Sequence, residues 1–245
     1  KSLWFDNSRW NYKQKKAIFN GIEKLTIVTP SQWLAGLVQH SFLREYRVMV
    51  INNGIDLSVF RPTPSDFRRR YKLENKFFLL GVASVWNERK GYGYFLELAK
   101  RLKPDEKIVL VGVSKKQIKN LPPNIIGIAR TTSTAELADI YSEADLFVNP
   151  TLEDNLPTTN LEALACGTPV VTFNSGGSPE CINANCGSVV ERGDLAALVG
   201  TIAAMKKRGK ASCTVVCQKR ARDLYNKDAR FAEYIELYRI NMNQQ

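Results

Sequence analysis

Asp154 and Glu162 stand eight positions apart, separated by Asn155, Leu156, Pro157, Thr158, Thr159, Asn160 and Leu161. Beyond Pro157, Leu161, Leu164 and Ala165 fall at helical spacing, and Gly167 supplies the left-handed position that ends a helix. A helix opening there leaves the amides of Thr158, Thr159 and Asn160 without helical partners, facing the preceding loop. A phosphate suits such a terminus. Glu162 lies one turn inside, where its carboxylate can accept two hydroxyl hydrogen bonds from a ribose-like ring beside that phosphate. A second group with the same chemical preference is Arg89-Lys90-Gly91, in a loop that leads into a helix. Cations beside a helix amino terminus favour a diphosphate. A lone Arg-Lys pair in a loop is usually solvated, so the case rests on the loops converging.

The elements around these residues predict that convergence. Residues 146–148 and 170–173 are short apolar runs on either side of the 158–165 helix, and strand, helix, parallel strand is a right-handed crossover that opens both loops at the carboxyl edge of a sheet. Further strands are expected at 77–82, 108–113 and 125–128, with helices at 91–102, 114–119 and 134–143. The last is opened by a capping box, Ser133-Thr134-Ala135-Glu136. Strands and helices that alternate without a break specify an α/β fold with a doubly wound parallel sheet. Upstream, a loop then a helix occupy 1–20, strands are expected at 25–29 and 48–51, and a helix runs from Pro30-Ser31 to about residue 43. Asn52-Asn53-Gly54 is a turn that serves equally as a plain hinge, and Pro62 and Pro64 mark a linker. Helices over 194–205, 210–226 and 228–242 close the chain.

Composition narrows the function classes. The chain has 245 residues, 44% hydrophobic and 24% charged, which is ordinary for a globular protein with a sizeable core. Its single histidine, His40, excludes a histidine-based metal site, and its five cysteines form no Cys-x-x-Cys pair, so structural free thiols in a reducing compartment are expected. The net charge of +11 gathers in clusters at 13–16, 68–72, 206–210 and 219–222, each read as a solvated face. Together they favour an anionic membrane surface or anionic substrate. No aromatic-interleaved basic motif accompanies them, which argues against nucleic acid, and no apolar run approaches the roughly 18 residues of a membrane span.

An acidic residue, seven intervening residues, then Glu162 within Leu161-Glu162-Ala163-Leu164-Ala165-Cys166-Gly167-Thr168-Pro169-Val170-Val171, followed by Gly176-Gly177-Ser178-Pro179-Glu180, resembles the donor-site signature of the GT-B-fold glycosyltransferases of the GT4-type (glycosyl transferases group 1) family. Thr29-Pro30-Ser31-Gln32-Trp33 and Asn53-Gly54-Ile55-Asp56 look like the last piece of that family's amino-terminal domain running into its linker. The resemblance is strong over 29–192. It implies a carboxyl-terminal remnant of an acceptor-side Rossmann-like domain plus linker over 1–62, a Rossmann-like nucleotide-sugar donor domain over 63–227, and a terminal helix over 228–245 that crosses back, with Phe231, Ile235 and Tyr238 as its contact face. With Lys1 in place of Met, the chain is read as a fragment.

The resemblance further implies a retaining glycosyltransferase that moves a sugar from a nucleotide-diphosphate sugar to a glycan or lipid-linked acceptor, without a metal or other cofactor. Bacterial surface-polysaccharide synthesis and a cytoplasmic location, peripheral to the membrane, follow from it. Lys90 matches the family's diphosphate lysine. No arginine stands in Gly81-Val82-Ala83-Ser84, where the family carries one, and Arg89 is the substitute at hand. The family's first acid is Glu; here Asp154 holds that register and Glu153 is one residue out of it, so either faces the sugar. Asn155, Leu156, Pro157, Thr158 and Thr159 would complete the donor cradle, and Gly112 with Ala129 and Arg130 would flank the base. Two other readings are a GT-B-fold nucleotide-sugar epimerase or isomerase, and a noncatalytic module that binds donor, membrane or nucleic acid.

Overall fold

The computed structural model describes residues 6–243. In chain order its elements are α1 (Ser8–Phe19), β1 (Thr26–Thr29), α2 (Gln32–Gln39), β2 (Arg47–Val50), α3 (Phe67–Arg70), β3 (Phe77–Val82), α4 (Tyr92–Ala99), β4 (Glu106–Val111), α5 (Lys115–Ile118), β5 (Ile125–Ile128), α6 (Thr134–Glu143), β6 (Leu146–Asn149), α7 (Thr158–Ala165), β7 (Val170–Phe173), β8 (Gly187–Val190), α8 (Leu195–Arg208), α9 (Ala211–Tyr225) and α10 (Lys227–Met242). A 3₁₀ turn, Ser178–Cys181, sits between β7 and β8.

Two parallel sheets result. β1 pairs with β2, and the larger sheet runs β5-β4-β3-β6-β7-β8. Its central strands are apolar on both faces, as a sheet covered by helices on both sides requires; Phe78, Leu79, Leu80, Phe147, Val148, Val170 and Val171 are all buried. The strand order reverses between β3 and β6, and in a doubly wound sheet that reversal splits the loops apart and opens a crevice at the carboxyl edge. The loops after β3 and β6 are those that carry Lys90 and Asp154.

Several boundaries differ from the sequence-based expectation for local reasons. α2 stops at Gln39 instead of near residue 43, because Ser41 Oγ donates to the Val38 carbonyl (2.7 Å) and accepts from Leu43 N (3.0 Å), drawing the backbone out of the helix. β4 ends at Val111, where Gly112 turns the chain with φ of 91°. At α6, Ser133 Oγ accepts from Glu136 N (3.1 Å) as the motif predicts, but the return arm from Glu136 reaches Thr132 N (2.6 Å).

The clusters at 68–72 and 206–210 are not wholly solvated. Arg68 lies over the Phe78 ring, 5.0 Å from its centroid, and pairs with Asp145 at 2.9 Å. Lys210 donates to the carbonyls of Ser142 and Ala144, and burial lowers its pKa to about 8. Both side chains tie the end of α6 and the start of β6 to their neighbours. All five cysteines are buried free thiols, and burial raises the pKa of Cys166 and of Cys181 to about 12.

The expected contact face of α10 is corrected. Phe231, Ile235 and Tyr238 are 60%, 51% and 62% exposed, and Leu237 is the residue turned inward. The helix enters through a bridge between Ile55 and Asn226 and a Lys227–Asp56 pair at 2.6 Å. Asn241, near its far end, lies beside 23–26 and 45–47, at the start of β1 and β2.

Candidate functional site

The loop after β3 is rigid before it reaches Lys90. Trp86 is buried edge-on against Phe95 (5.2 Å between ring centroids) and donates through Nε1 to the Val111 carbonyl (2.8 Å). Asn87 Oδ1 then accepts from Lys90 N (3.0 Å), holding the lysine backbone in a turn. One residue earlier, the Arg89 carbonyl accepts from Leu152 N (2.8 Å) and Thr151 Oγ1 (3.3 Å), which joins this loop to the one after β6.

The β6–α7 loop is held in turn by the Gly-Gly loop after β7. Ser175 Oγ donates to the Thr151 carbonyl (2.6 Å), and Gly177 N donates to the Asp154 carbonyl (2.9 Å). Gly176, at φ of 57°, lies so close that an added Cβ would sit 1.8 Å from the Asp154 carbonyl oxygen. No residue with a side chain fits there. Three successive carboxyl-edge loops are thus locked together, and Lys90 Nζ meets Asp154 Oδ2 at 2.5 Å.

Around this pair is a cleft of about 310 Å³, walled by Val82, Ala83 and Ser84 on one side and by Asn149, Leu156, Pro157, Thr158 and Thr159 on the other. Asp154 lines it, whereas Glu153 is exposed outside it. At the start of α7, Asn160 N donates to the Pro157 carbonyl (3.1 Å) in a tightened first turn. That removes Asn160 from the expected set of open amides. Those of Thr158 and Thr159 have no acceptor among the described residues, and both residues line the cleft.

Glu162 sits one turn below. Its Oε2 accepts from the Tyr141 hydroxyl (2.9 Å), and the carboxylate stands behind the cleft, outside its lining. Burial raises its pKa above the ordinary 4.5, against the Tyr141 hydrogen bond, which lowers it. The remaining expected residues are more distant. The Arg89 side chain is exposed and outside the cleft lining, so the charge expected from it is not delivered there. Gly112, where a Cβ would lie 1.6 Å from the Ala83 carbonyl oxygen, backs the cleft wall without lining it. Ala129 and Arg130 are exposed just past β5, at the sheet's end, two strands from β3.

Three participants were not foreseen. Tyr141 is fully buried, and its only sequence signal is a hydroxyl on the apolar side of a helix with Ala138, a tip that must find a partner. Asn149 lines the cleft at the end of β6 and donates to Asn160 Oδ1 (2.8 Å). Glu180 reaches out of the larger unit altogether: its two carboxylate oxygens accept from Gln32 N (2.9 Å) and Trp33 N (2.7 Å), covering the amino terminus of α2. Asn53 Nδ2 adds a bond to the Leu156 carbonyl (3.1 Å).

The arrangement offers a diphosphate one lysine and two amides, with a buried carboxylate one helical turn away. Among the described residues no group of three or more His, Cys, Asp or Glu side chains gathers to hold a metal ion. A wider groove of about 950 Å³ runs along α4 past Tyr94, Leu96 and Pro122, but its walls converge on no comparable set of donors.

Comparison with known proteins places the fold and the family. A processive diacylglycerol alpha-glucosyltransferase of Acholeplasma laidlawii is 31% identical over 183 residues, 69% of this chain and 54% of that protein. An alpha-galactosylglucosyldiacylglycerol synthase of Streptococcus pneumoniae is 29% identical over 171 residues, 63% of this chain and 45% of that one. The chain thus spans about half the length of these relatives. Among solved structures, sucrose-phosphate synthase from Thermosynechococcus elongatus superposes with a TM-score of 0.83 at 21% identity, over 99% of this chain and 65% of its own. An Anabaena protein in complex with UDP-glucose does so with a TM-score of 0.78 at 20% identity, over 94% and 68%. These share the GT-B Rossmann-like fold. The model of the family described as glycosyl transferases group 1 matches residues 76–207, more than half of the chain, and the chain belongs to that family.

Proposed function

We propose that this chain carries the nucleotide-sugar site of a retaining glycosyltransferase that transfers a sugar from a nucleoside-diphosphate donor to a lipid-linked or glycan acceptor. The observation that carries the reading is the convergence of Lys90, Asp154 and the open amides of Thr158 and Thr159 on one cleft, with Glu162 one turn below. As the bond from the anomeric carbon to the diphosphate breaks, its electron pair goes to the leaving phosphate oxygen. Lys90 and the two amides stand where that negative charge develops. Lys90 exchanges its partner Asp154 for the phosphate, and Asp154 turns to the sugar hydroxyls and the positive charge growing on the ring. The acceptor hydroxyl attacks from the side the diphosphate leaves, and its proton passes to the departing phosphate oxygen, so configuration is kept. The positive charge comes from the chain's own groups, and the step as drawn calls on no metal ion. Glu162 receives the ribose hydroxyls.

A uridine nucleotide is the first donor to test, because the Anabaena neighbour was solved with UDP-glucose. The names of the diacylglycerol-related relatives, with a net charge of +11, support an acceptor at an anionic lipid surface, in bacterial glycolipid or surface-polysaccharide synthesis. Among the described residues no helix is long and apolar enough to cross a membrane, and peripheral attachment through the basic clusters is the proposed mode.

The test is a thermal-shift and calorimetry panel of UDP-, GDP- and ADP-sugars. A ligand specific for the folded state adds about 2.7 kcal/mol of stability at 100 times its Kd. One nucleotide sugar should bind, and Lys90→Ala should weaken it. A protein that binds none of them, or binds one equally well without Lys90, overturns the reading. Conversion of donor alone into an isomeric nucleotide sugar would instead identify an epimerase.

A further inference from the structure

We infer that Tyr141 is a positioning residue for the site: its hydroxyl holds the Glu162 carboxylate so that acceptor positions left open face the vicinal diol of a ribose. The inference deepens the proposed nucleotide-sugar site and rests on it.

The count of acceptors leads to Tyr141. An ionised carboxylate has about four lone-pair positions. Tyr141 takes one at Oε2 (2.9 Å). Those that remain are enough to receive both hydroxyls of a 2′,3′-diol. Tyr141 is also fixed from several directions. Its ring is fully buried and meets Phe147 (5.4 Å, 64°) and Phe60 (6.3 Å, 73°) edge-on. Its carbonyl accepts from Thr168 Oγ1 (2.6 Å), just past the end of α7, so the helices bearing Tyr141 and Glu162 are tied together at the backbone as well. A hydroxyl on a ring that cannot swing aside fixes the carboxylate's rotation. With the tyrosine fully buried, no solvent molecule stands ready to replace it.

A tyrosine that only fills the core gives a different result in one experiment. Titrate wild type, Tyr141→Phe and Glu162→Gln by calorimetry with UDP, GDP and ADP, each alongside its 2′,3′-dideoxy counterpart. Phenylalanine keeps the ring and removes one hydrogen bond. The preferred nucleotide should bind Tyr141→Phe about 5- to 10-fold more weakly, while affinity for its dideoxy counterpart stays at the wild-type value. Adding Tyr141→Phe to Glu162→Gln should cost no further affinity, because the carboxylate to be aligned is already gone. Equal losses for the nucleotide and its dideoxy form, or no loss for either, overturn the positioning role. If Tyr141→Phe does not fold, Thr168→Val, which cuts the tie to the Tyr141 carbonyl, tests the same alignment, and unchanged discrimination there overturns it too. A wild-type protein that fails to distinguish a nucleotide from its dideoxy form, or binds none of the three, removes the diol site itself, an outcome separate from a failure of Tyr141 alone.

Discussion

Lys90 and Asp154, 64 residues apart in the chain, meet at 2.5 Å across the point where the order of the large sheet reverses. The side chains are 28% and 19% exposed, so the pair is neither freely solvated nor sealed off. Such a contact holds the lysine at the cleft and can be exchanged for a phosphate oxygen.

Removing the lysine should therefore act on the diphosphate alone. A hydrogen bond to a charged group is worth about 1.5–3 kcal/mol, so Lys90→Ala should weaken nucleoside-diphosphate binding about 10- to 100-fold and leave the free nucleoside unaffected. Calorimetry with both ligands checks this, and equal losses for the two would contradict a phosphate role.

Asp154→Asn is expected to separate binding from transfer. A partly exposed ion pair contributes about 0–1 kcal/mol, so releasing Lys90 should leave nucleoside-diphosphate affinity unchanged or up to about fivefold tighter. Turnover of the nucleotide sugar should fall sharply, because no carboxylate then faces the sugar. Loss of nucleotide affinity in this variant would show that Asp154 serves to build the loop instead.

Glu162 has a folded-state pKa above its ordinary 4.5, raised by burial. From 4.5 upward to that raised value the folded protein holds more protons at this site than the unfolded chain, so the site's contribution to stability declines as pH rises through that window. Glu162→Gln should flatten this part of the stability-against-pH curve and be no less stable than wild type at neutral pH. Nucleotide binding runs the other way: it needs the ionised acceptor and should weaken in wild type as pH falls through the same window, while Glu162→Gln binds weakly throughout. Chemical denaturation and calorimetry across pH 4–8 measure both trends.

The Gly-Gly loop can be tested without touching a charged group. Gly176→Ala places a Cβ 1.8 Å from the Asp154 carbonyl oxygen at a φ of 57°. The left-handed backbone alone costs roughly 1–2 kcal/mol, and the clash must move residue 154. Stability and transfer should both drop, with a crystal structure showing the Lys90–Asp154 contact lengthened.

Glu180 links the two sheets by covering the amino terminus of α2. Losing a helix cap costs about 0.5–2 kcal/mol, and Glu180→Ala should lower urea stability by that amount. Amide exchange should rise at Gln32 and Trp33. Unchanged protection at those two amides would mean that the contact is not maintained in solution.

Much of this architecture was legible in local chemistry. Leu161, Leu164 and Ala165 at helical spacing, closed by Gly167, identified α7 with the boundaries observed. The alternation of apolar runs and helices specified a parallel sheet, and the rule for ligands at carboxyl edges pointed to the loop that carries Arg89-Lys90-Gly91 and the one that carries Asp154. These signals depend on residues within a turn or two of one another, so they survive without knowledge of the fold.

Other features exist only because distant segments meet. Glu153 and Asp154 are chemically alike neighbours, and the Gly176–Gly177 backbone pressed against the loop determines which of them enters the cleft. Tyr141 and Glu162 sit on different helices, and Glu180 finds its partners 147 and 148 residues earlier. On α10 the periodic apolar face of Phe231, Ile235 and Tyr238 is exposed and Leu237 is buried, which the helix's own pattern does not tell. Periodicity and capping record what a segment prefers for itself, whereas side-chain direction at a junction is a compromise among contacts far apart in the chain, and only the assembled tertiary structure contains all of them.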